Sequence, residues 1–320
     1  MQLREPELRP PRELFDSHAR AGEHSALGRL GRLEVFRIPA RLVNLLGSLA
    51  ATRLLSALHW RPPCPDLRQR EVALPDLPDG LVGLRVAHVT DVHCSEFFTT
   101  GDLERLKRRV AALAPDLVLI TGDLLHRDDR VLAELGRALA GLGPPGTVFA
   151  VRGNHDRQVD PRGRRFAEVL RAAGVILLDN TAAEARLPGR PRLWIAGIDD
   201  IWEGEPDLEA ALDAVPSGRP YLLLTHSPDT AESLLSLEHR PLLVLAGHTH
   251  GGQVVLPLFG PLVLPSAHGT RYQAGLVRRK GLTVQVSRGV GVVEPPLRIG
   301  APAEVPILCL RKAGPGDGQQ

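Results

Sequence analysis

Five short polar blocks, each at the end of an apolar run, hold the side chains able to do chemistry in this chain: Asp91-Val-His93, Gly122-Asp123, Gly153-Asn-His-Asp156, His226 and Gly247-His-Thr-His250. They offer carboxylates, imidazoles and one amide oxygen, a donor set that suits two divalent transition metals better than one. Asp91 and His93 stand two residues apart, as do His248 and His250. In extended backbone each pair shares a face and can grip an ion. Asp123 follows Gly122, which permits a sharp turn, and a carboxylate with two oxygens can bridge two cations roughly 3.5 to 4 Å apart. Asn154 can ligate only through its neutral carbonyl oxygen, which leaves His155 to face a substrate. Any one of these histidines alone reads as structural; the ordered conjunction reads as a metal-dependent hydrolase. His88, His126, His239 and His268 fall outside the blocks and read as structural or surface residues.

The elements that must position these blocks are legible as periodicities. Apolar runs at 84–90, 117–121, 148–151, 193–198, 221–225 and 242–246 predict strands, and helical spacing predicts helices at 102–113, 130–139, 164–173 and 207–215. Their alternation implies a layered α/β domain, and most of the blocks directly follow predicted strands, where α/β sheets gather their ligands. Beyond Gly251 the chain turns to short runs punctuated by Gly and Pro, including 282–287 and 305–310, expected to add antiparallel strands to a second sheet.

Bulk composition excludes several classes. With 320 residues, 43% of them hydrophobic, the chain can bury one large α/β core or two small ones. Net charge is only +2, and although 36 of the 39 basic residues are arginine, the balanced acid count argues against a nucleic-acid partner. Three scattered cysteines, Cys64, Cys94 and Cys309, make neither a disulfide framework nor a zinc knuckle. Cys94 reads as a buried, inert thiol. No signal peptide is visible before residue 35, so the expected location is the cytoplasm or the cytoplasmic face of a membrane. Residues 36–60 carry leucines at helical spacing among Arg37, Arg41 and Arg53 and end on Trp60. This stretch is too interrupted to span a bilayer, but it suits a helix lying in the membrane interface or one packed on the domain. The expected organisation is therefore an extension over 1–61, a catalytic domain over 62–312 and a disordered tail over 313–320.

The order Asp-x-His, Gly-Asp, Gly-Asn-His-Asp, His, Gly-His-x-His resembles the signature of the calcineurin-like metallophosphoesterases, from about Arg70 to Arg311. The runs Gly247-His-Thr-His-Gly-Gly-Gln253 and Val286-Ser-Arg-Gly-Val-Gly291 are similar to a bacterial, membrane-associated branch that includes hydrolases of UDP-2,3-diacylglucosamine in lipid A synthesis. The resemblance implies an α/β/β/α sandwich of two mixed β-sheets flanked by helices. It further implies that Asp91, His93 and His250 hold one metal, that Asn154, His226 and His248 hold the other, and that Asp123 bridges them. Manganese is the first expectation, with zinc, iron and cobalt the alternatives. A metal-bound hydroxide would then attack a phosphodiester or pyrophosphate, with His155 as catalytic acid and Asp156 orienting its ring. The substrate reading divides between a lipid-linked phosphoester and a soluble nucleotide or other phosphoester, with an inactive membrane-surface scaffold as a third reading. Arg288 and Arg298 are candidates for gripping a second phosphate.

Overall fold

The computed structural model describes residues 53–54, 62–315 and 317. The helix expected over 36–60 lies outside the described residues apart from two positions. Among the described residues no helix is long and apolar enough to cross a membrane.

Two six-stranded sheets face each other. The first contains β1 (Asp66–Leu74), β2 (Arg85–Val89), β3 (Leu117–Thr121), β4 (Val148–Val151), β5 (Ile176–Leu177) and β14 (Glu304–Lys312), in the order β1-β14-β2-β3-β4-β5. The second contains β6 (Thr181–Glu184), β7 (Trp194–Gly197), β8 (Tyr221–Leu224), β9 (Leu243–Ala246), β12 (Gly275–Arg279) and β13 (Leu282–Val286), in the order β12-β13-β9-β8-β7-β6. A separate hairpin pairs β10 (Val255–Leu256) with β11 (Gly260–Pro261). The helices are α1 (Thr100–Ala111), α2 (Leu132–Leu139), α3 (Asn154–Val159), α4 (Arg164–Ala172) and α5 (Leu208–Asp213).

Strand alternation sorts the core into three layers. Val86, Leu117, Leu119 and Phe149 of the first sheet meet Ile195, Leu222, Leu224 and Leu243 of the second between the sheets. Ala87, Val118, Ile120 and Ala150 point the other way, against Leu103 and Leu106 of α1, Leu135 of α2 and Phe166 of α4. On the far side Leu223, Val244 and Val284 pack with Ala211 of α5 and with Ala231 and Leu234 of a 3-10 segment. Each buried Leu, Val or Phe contributes roughly 1.5–3 kcal/mol. The result is the expected α/β/β/α sandwich with mixed sheets, since β14 runs antiparallel to β2 while β2, β3 and β4 are parallel.

Local chemistry sets the helix starts. Thr99 caps α1 by accepting from the Asp102 amide, while Asp102 accepts from the Thr99 amide at 2.9 Å. One expectation is corrected. The run at 305–310 joins the first sheet as β14, because its antiparallel register with β2 closes that sheet's edge and β1 then pairs onto it. Of the segment 313–320 the structure describes 313–315 and 317, and Asp317 makes a two-pronged ion pair with Arg311, both contacts 2.7 Å.

Candidate metal centre

The parallel strands β2, β3, β4, β8 and β9 all end at one rim, and the polar blocks leave from those ends. Tight backbone bonding locks the loops together: Asp91 N donates to Gly122 O at 3.0 Å, His93 N to Asp123 O at 2.9 Å, and Gly247 N to His226 O at 2.9 Å. The backbone there is not extended. Asp91, His93, Asp123, His248 and His250 take φ of 51°, 44°, 51°, 67° and 51°, the left-handed region that costs a residue with a Cβ about 1–2 kcal/mol. The expectation that Asp91 and His93, or His248 and His250, share a face through extended alternation is therefore corrected. Two left-handed residues on either side of the right-handed Thr249 turn His248 toward His226 and His250 toward His93.

The structure brings all seven expected ligands together in two groups. In the first, His93 Nε2 lies 3.1 Å from His250 Nε2, and His250 Nε2 lies 3.4 Å from Asp91 Oδ1. In the second, His226 Nε2 lies 3.1 Å from Asn154 Oδ1 and 3.1 Å from His248 Nδ1. Asp123 Oδ2 stands between them, 3.4 Å from His93 Nε2 and 3.2 Å from His226 Nε2. Asp91, His93 and His250 together, and Asp91, Asp123 and His226 together, have the proximity of metal-binding sets.

The fit of these residues to divalent cations can be tested on their own chemistry. Two imidazole nitrogens turned toward each other repel unless a proton or a cation stands between them. Two ligands sharing one ion at bonds of about 2.1 Å sit about 3.0–3.4 Å apart in octahedral or tetrahedral arrangement, the same spacing as these contacts. In His226 the Nδ1 proton points away from the centre, to the Thr121 carbonyl at 2.7 Å, which only accepts, so Nε2 is the nitrogen turned inward. Burial opposes positive charge on His226, yet the Asp123, Asp91 and Asp200 carboxylates raise its pKa well above the ordinary histidine value. Burial, aided by the Asp123 charge, pushes Asp91 up to about 6. The cradle asks for cations, and the residues fit them.

The His155 ring is oriented by a different partner from the expected Asp156. His155 Nδ1 donates to the His126 carbonyl at 2.7 Å, so that carbonyl orients the ring and leaves Nε2 for a substrate. Asp156 is fully buried, and its carboxylate accepts from Gly153 N at 3.1 Å and Leu125 N at 2.8 Å. It ties two ligand loops together and does not touch the His155 ring. Arg298 is corrected, since it spends its donors on the carbonyls of Gly291, Arg288, Ala301 and His250 and on the His250 ring, while Arg288 pairs with Glu304 through one guanidinium nitrogen. Cys94 is buried with its thiol pushed up to about 12 by burial and the nearby Asp156 charge, as expected of an inert thiol.

Sequence reasoning missed two features. His126 stacks on His155 with ring centres 5.5 Å apart, lies 5.3 Å from His93, and hydrogen-bonds Glu294 at 3.1 Å. His126, Arg127 and Glu294 line a cavity of about 340 Å³ beside the centre, with Cys94 and Phe97. The loop after β7 is the second. Its Asp199 accepts from Arg157 of α3, and its Trp202, 46% exposed, lies 5.6 Å from His248. Ile198-Asp199-Asp200 is a polar block closing an apolar run, the same signal that marked the other five.

The calcineurin-like phosphoesterase family model matches residues 84–252, which contain every one of the expected ligands, and the chain belongs to that family. It is accordingly a phosphoester hydrolase that works with divalent metals. The Escherichia coli (strain K12) phosphodiesterase YaeI is 31% identical over 232 residues, covering 72% of this chain and 83% of the relative. The Bacillus subtilis (strain 168) metallophosphoesterase YkuE is 28% identical over 278 residues, covering 84% and 96%. A Danio rerio transmembrane protein with metallophosphoesterase domain is 33% identical over 261 residues, which cover 78% of this chain but only 58% of that protein.

Proposed function

We propose that the protein is a dinuclear phosphodiesterase in which Asp91, His93 and His250 hold one cation, Asn154, His226 and His248 hold the second, and Asp123 bridges them. The observation that carries this reading is the set of six donor-to-donor contacts between 3.1 and 3.4 Å, with one Asp123 oxygen belonging to both groups. Manganese is the metal proposed first, because mixed histidine and carboxylate sites accept Mn, Fe, Zn or Co according to supply. Two such cations, when bound, neutralise phosphoryl charge and supply a nucleophile at neutral pH.

The chain's own residues do the rest. The His126 carbonyl holds the Nδ1 proton of His155, so Nε2 of the doubly protonated ring is the atom that passes a proton to the leaving oxygen, leaving the neutral Nδ1–H ring. The Leu125 and Gly153 amides, gathered by Asp156, hold the Asp123 and Asn154 loops at a fixed separation. His155 N donates to Asp123 Oδ1 at 2.9 Å and so aims the other oxygen at the centre.

For substrate, the reading is a phosphodiester or pyrophosphate at a membrane surface, with a lipid-linked ester such as UDP-2,3-diacylglucosamine as the specific form. It is supported by the leucine and arginine pattern of residues 36–60, taken as an interfacial helix ahead of a catalytic unit at 62–312. The name of the Danio rerio relative supports the same location. A second reading, a soluble nucleotide substrate, is favoured by Trp202, whose exposed ring beside His248 suits stacking against a planar base.

Metal content and turnover of Asp123→Ala test the centre. The wild-type chain is expected to hold close to two manganese ions and to hydrolyse bis(p-nitrophenyl) phosphate, and the variant is expected to lose at least one ion and about a thousandfold in kcat. Full metal content together with undiminished turnover would overturn the assignment.

A further inference from the structure

Four exposed apolar side chains lie on, or next to the base of, one short segment that follows His250 in sequence. Leu258 is 104% exposed, Phe259 70%, Val263 70% and Ile299 46%. Three of them belong to the β10–β11 hairpin and its flank, and β10 begins five residues after His250. The hairpin's base is built into the site: Val255 N donates to Ile299 O at 2.8 Å, and Gln253 side-chain contacts to Val293 and Pro295, all 2.8 to 2.9 Å, hold the neighbouring loop. Its tip has no partner among the described residues.

Composition says what covers that tip. From Val254 to Pro265 no residue carries a polar side chain, so the tip lacks the hydrogen-bonding rim with which a protein surface meets another protein. Pro257, Pro261 and Pro265 also remove three backbone donors, an advantage in hydrocarbon, where an unpaired N–H is costly. The course of the chain supplies an independent argument. β1 runs parallel to β14, and Asp66 N donates to Ala303 O at 3.0 Å. The residues before Asp66 therefore join the fold at the rim of Ala303, four residues from Ile299 and on the side of the molecule that carries the hairpin. The leucine-rich stretch 36–60 precedes these residues in sequence.

We propose that the β10–β11 hairpin is a membrane-inserting element: Leu258, Phe259 and Val263 enter the interface of a lipid bilayer and turn the metal centre toward phosphoesters at its surface. This rests on the membrane-surface reading above and adds to it the face that contacts the lipid.

The test uses the full-length chain with vesicles of phosphatidylethanolamine and phosphatidylglycerol. Leu258→Asp/Phe259→Asp is expected to lower vesicle partitioning at least about tenfold while leaving turnover of bis(p-nitrophenyl) phosphate unchanged, which also shows that the variant is folded. Leu45→Asp/Leu49→Asp, in the N-terminal stretch, separates the two readings. If that variant loses partitioning and the hairpin variant keeps it, the membrane-surface reading stands and the hairpin proposal falls. If the wild type does not partition at all, both fall. A wild-type dimer that the hairpin variant converts to monomer in sedimentation, with partitioning unaltered, would make the tip a contact between copies and overturn the proposal.

Discussion

His155 and Asp156 are neighbours whose substitutions should fail in opposite ways. The His155 ring makes one hydrogen bond, from Nδ1 to the His126 carbonyl, and packs on the rings of His126 and His93, so removing it leaves the backbone bonds of the loops intact. His155→Ala is expected to lower kcat by about 10²–10⁴ with melting temperature and metal content unchanged. Asp156 instead satisfies two buried amides, those of Gly153 and Leu125. Asp156→Ala strands both donors, at about 1–3 kcal/mol each, and releases the loops that carry Asp123 and Asn154. The expected result is a lower melting temperature and weakened metal retention, with kcat per bound metal pair nearly preserved. Calorimetry, metal analysis and kinetics on the two variants separate these outcomes. An Asp156 variant with full stability and metal content but lost kcat would restore the ring-orienting part that the sequence suggested.

Among the elements, the chemistry of the loops was legible and their shape was not. Strands β2, β3, β4, β8 and β9 announce themselves as apolar runs, and the residue types after them name the ligands. Nothing in the order Asp-Val-His or His-Thr-His says that the backbone is left-handed, because that conformation is imposed by bonds to other loops distant in sequence, such as His93 N to Asp123 O and Gly247 N to His226 O. Short partners are illegible for the same reason: β5, two residues long, exists only because β4 offers an edge. His126 was missed because its surroundings, Glu294 and His155, arrive from remote segments. The glycines record how closely the loops approach. A Cβ on Gly153 would overlap the Asp123 carboxylate, whereas Gly83 faces open space at a φ of 78°. Gly153→Ala is expected to cost at least about a hundredfold in turnover together with metal loss, and Gly83→Ala only about 1–2 kcal/mol of stability with no change in rate. Equal turnover in the two variants would show that the Asp123 loop can yield.

For the whole molecule, the layer between the sheets contains one polar side chain with consequences for pH. His88 shares the inner face of β2 with Val86, is fully buried, and bonds Thr121 Oγ1 through Nε2 at 2.9 Å, while its Nδ1 has no partner among the described residues. Burial lowers its pKa from 6.5 to about 3. Between those values the unfolded chain binds a proton that the folded chain refuses, so this site weakens the fold as pH drops below 6.5 and contributes no such penalty above it. The penalty reaches about 2 kcal/mol at pH 5, an appreciable part of the roughly 5–15 kcal/mol that holds a domain together. The effect belongs to the sandwich as a unit, because only the second sheet, laid over the first, keeps water from the ring. His88→Val keeps the strand preference and removes the titration, at the expense of the Thr121 bond. Its stability relative to wild type, from denaturant unfolding, is expected to improve by about 2 kcal/mol between pH 7.5 and pH 5. A difference that stays constant over that range would mean that His88 takes up its proton in the folded state and that the sheets do not seal the layer.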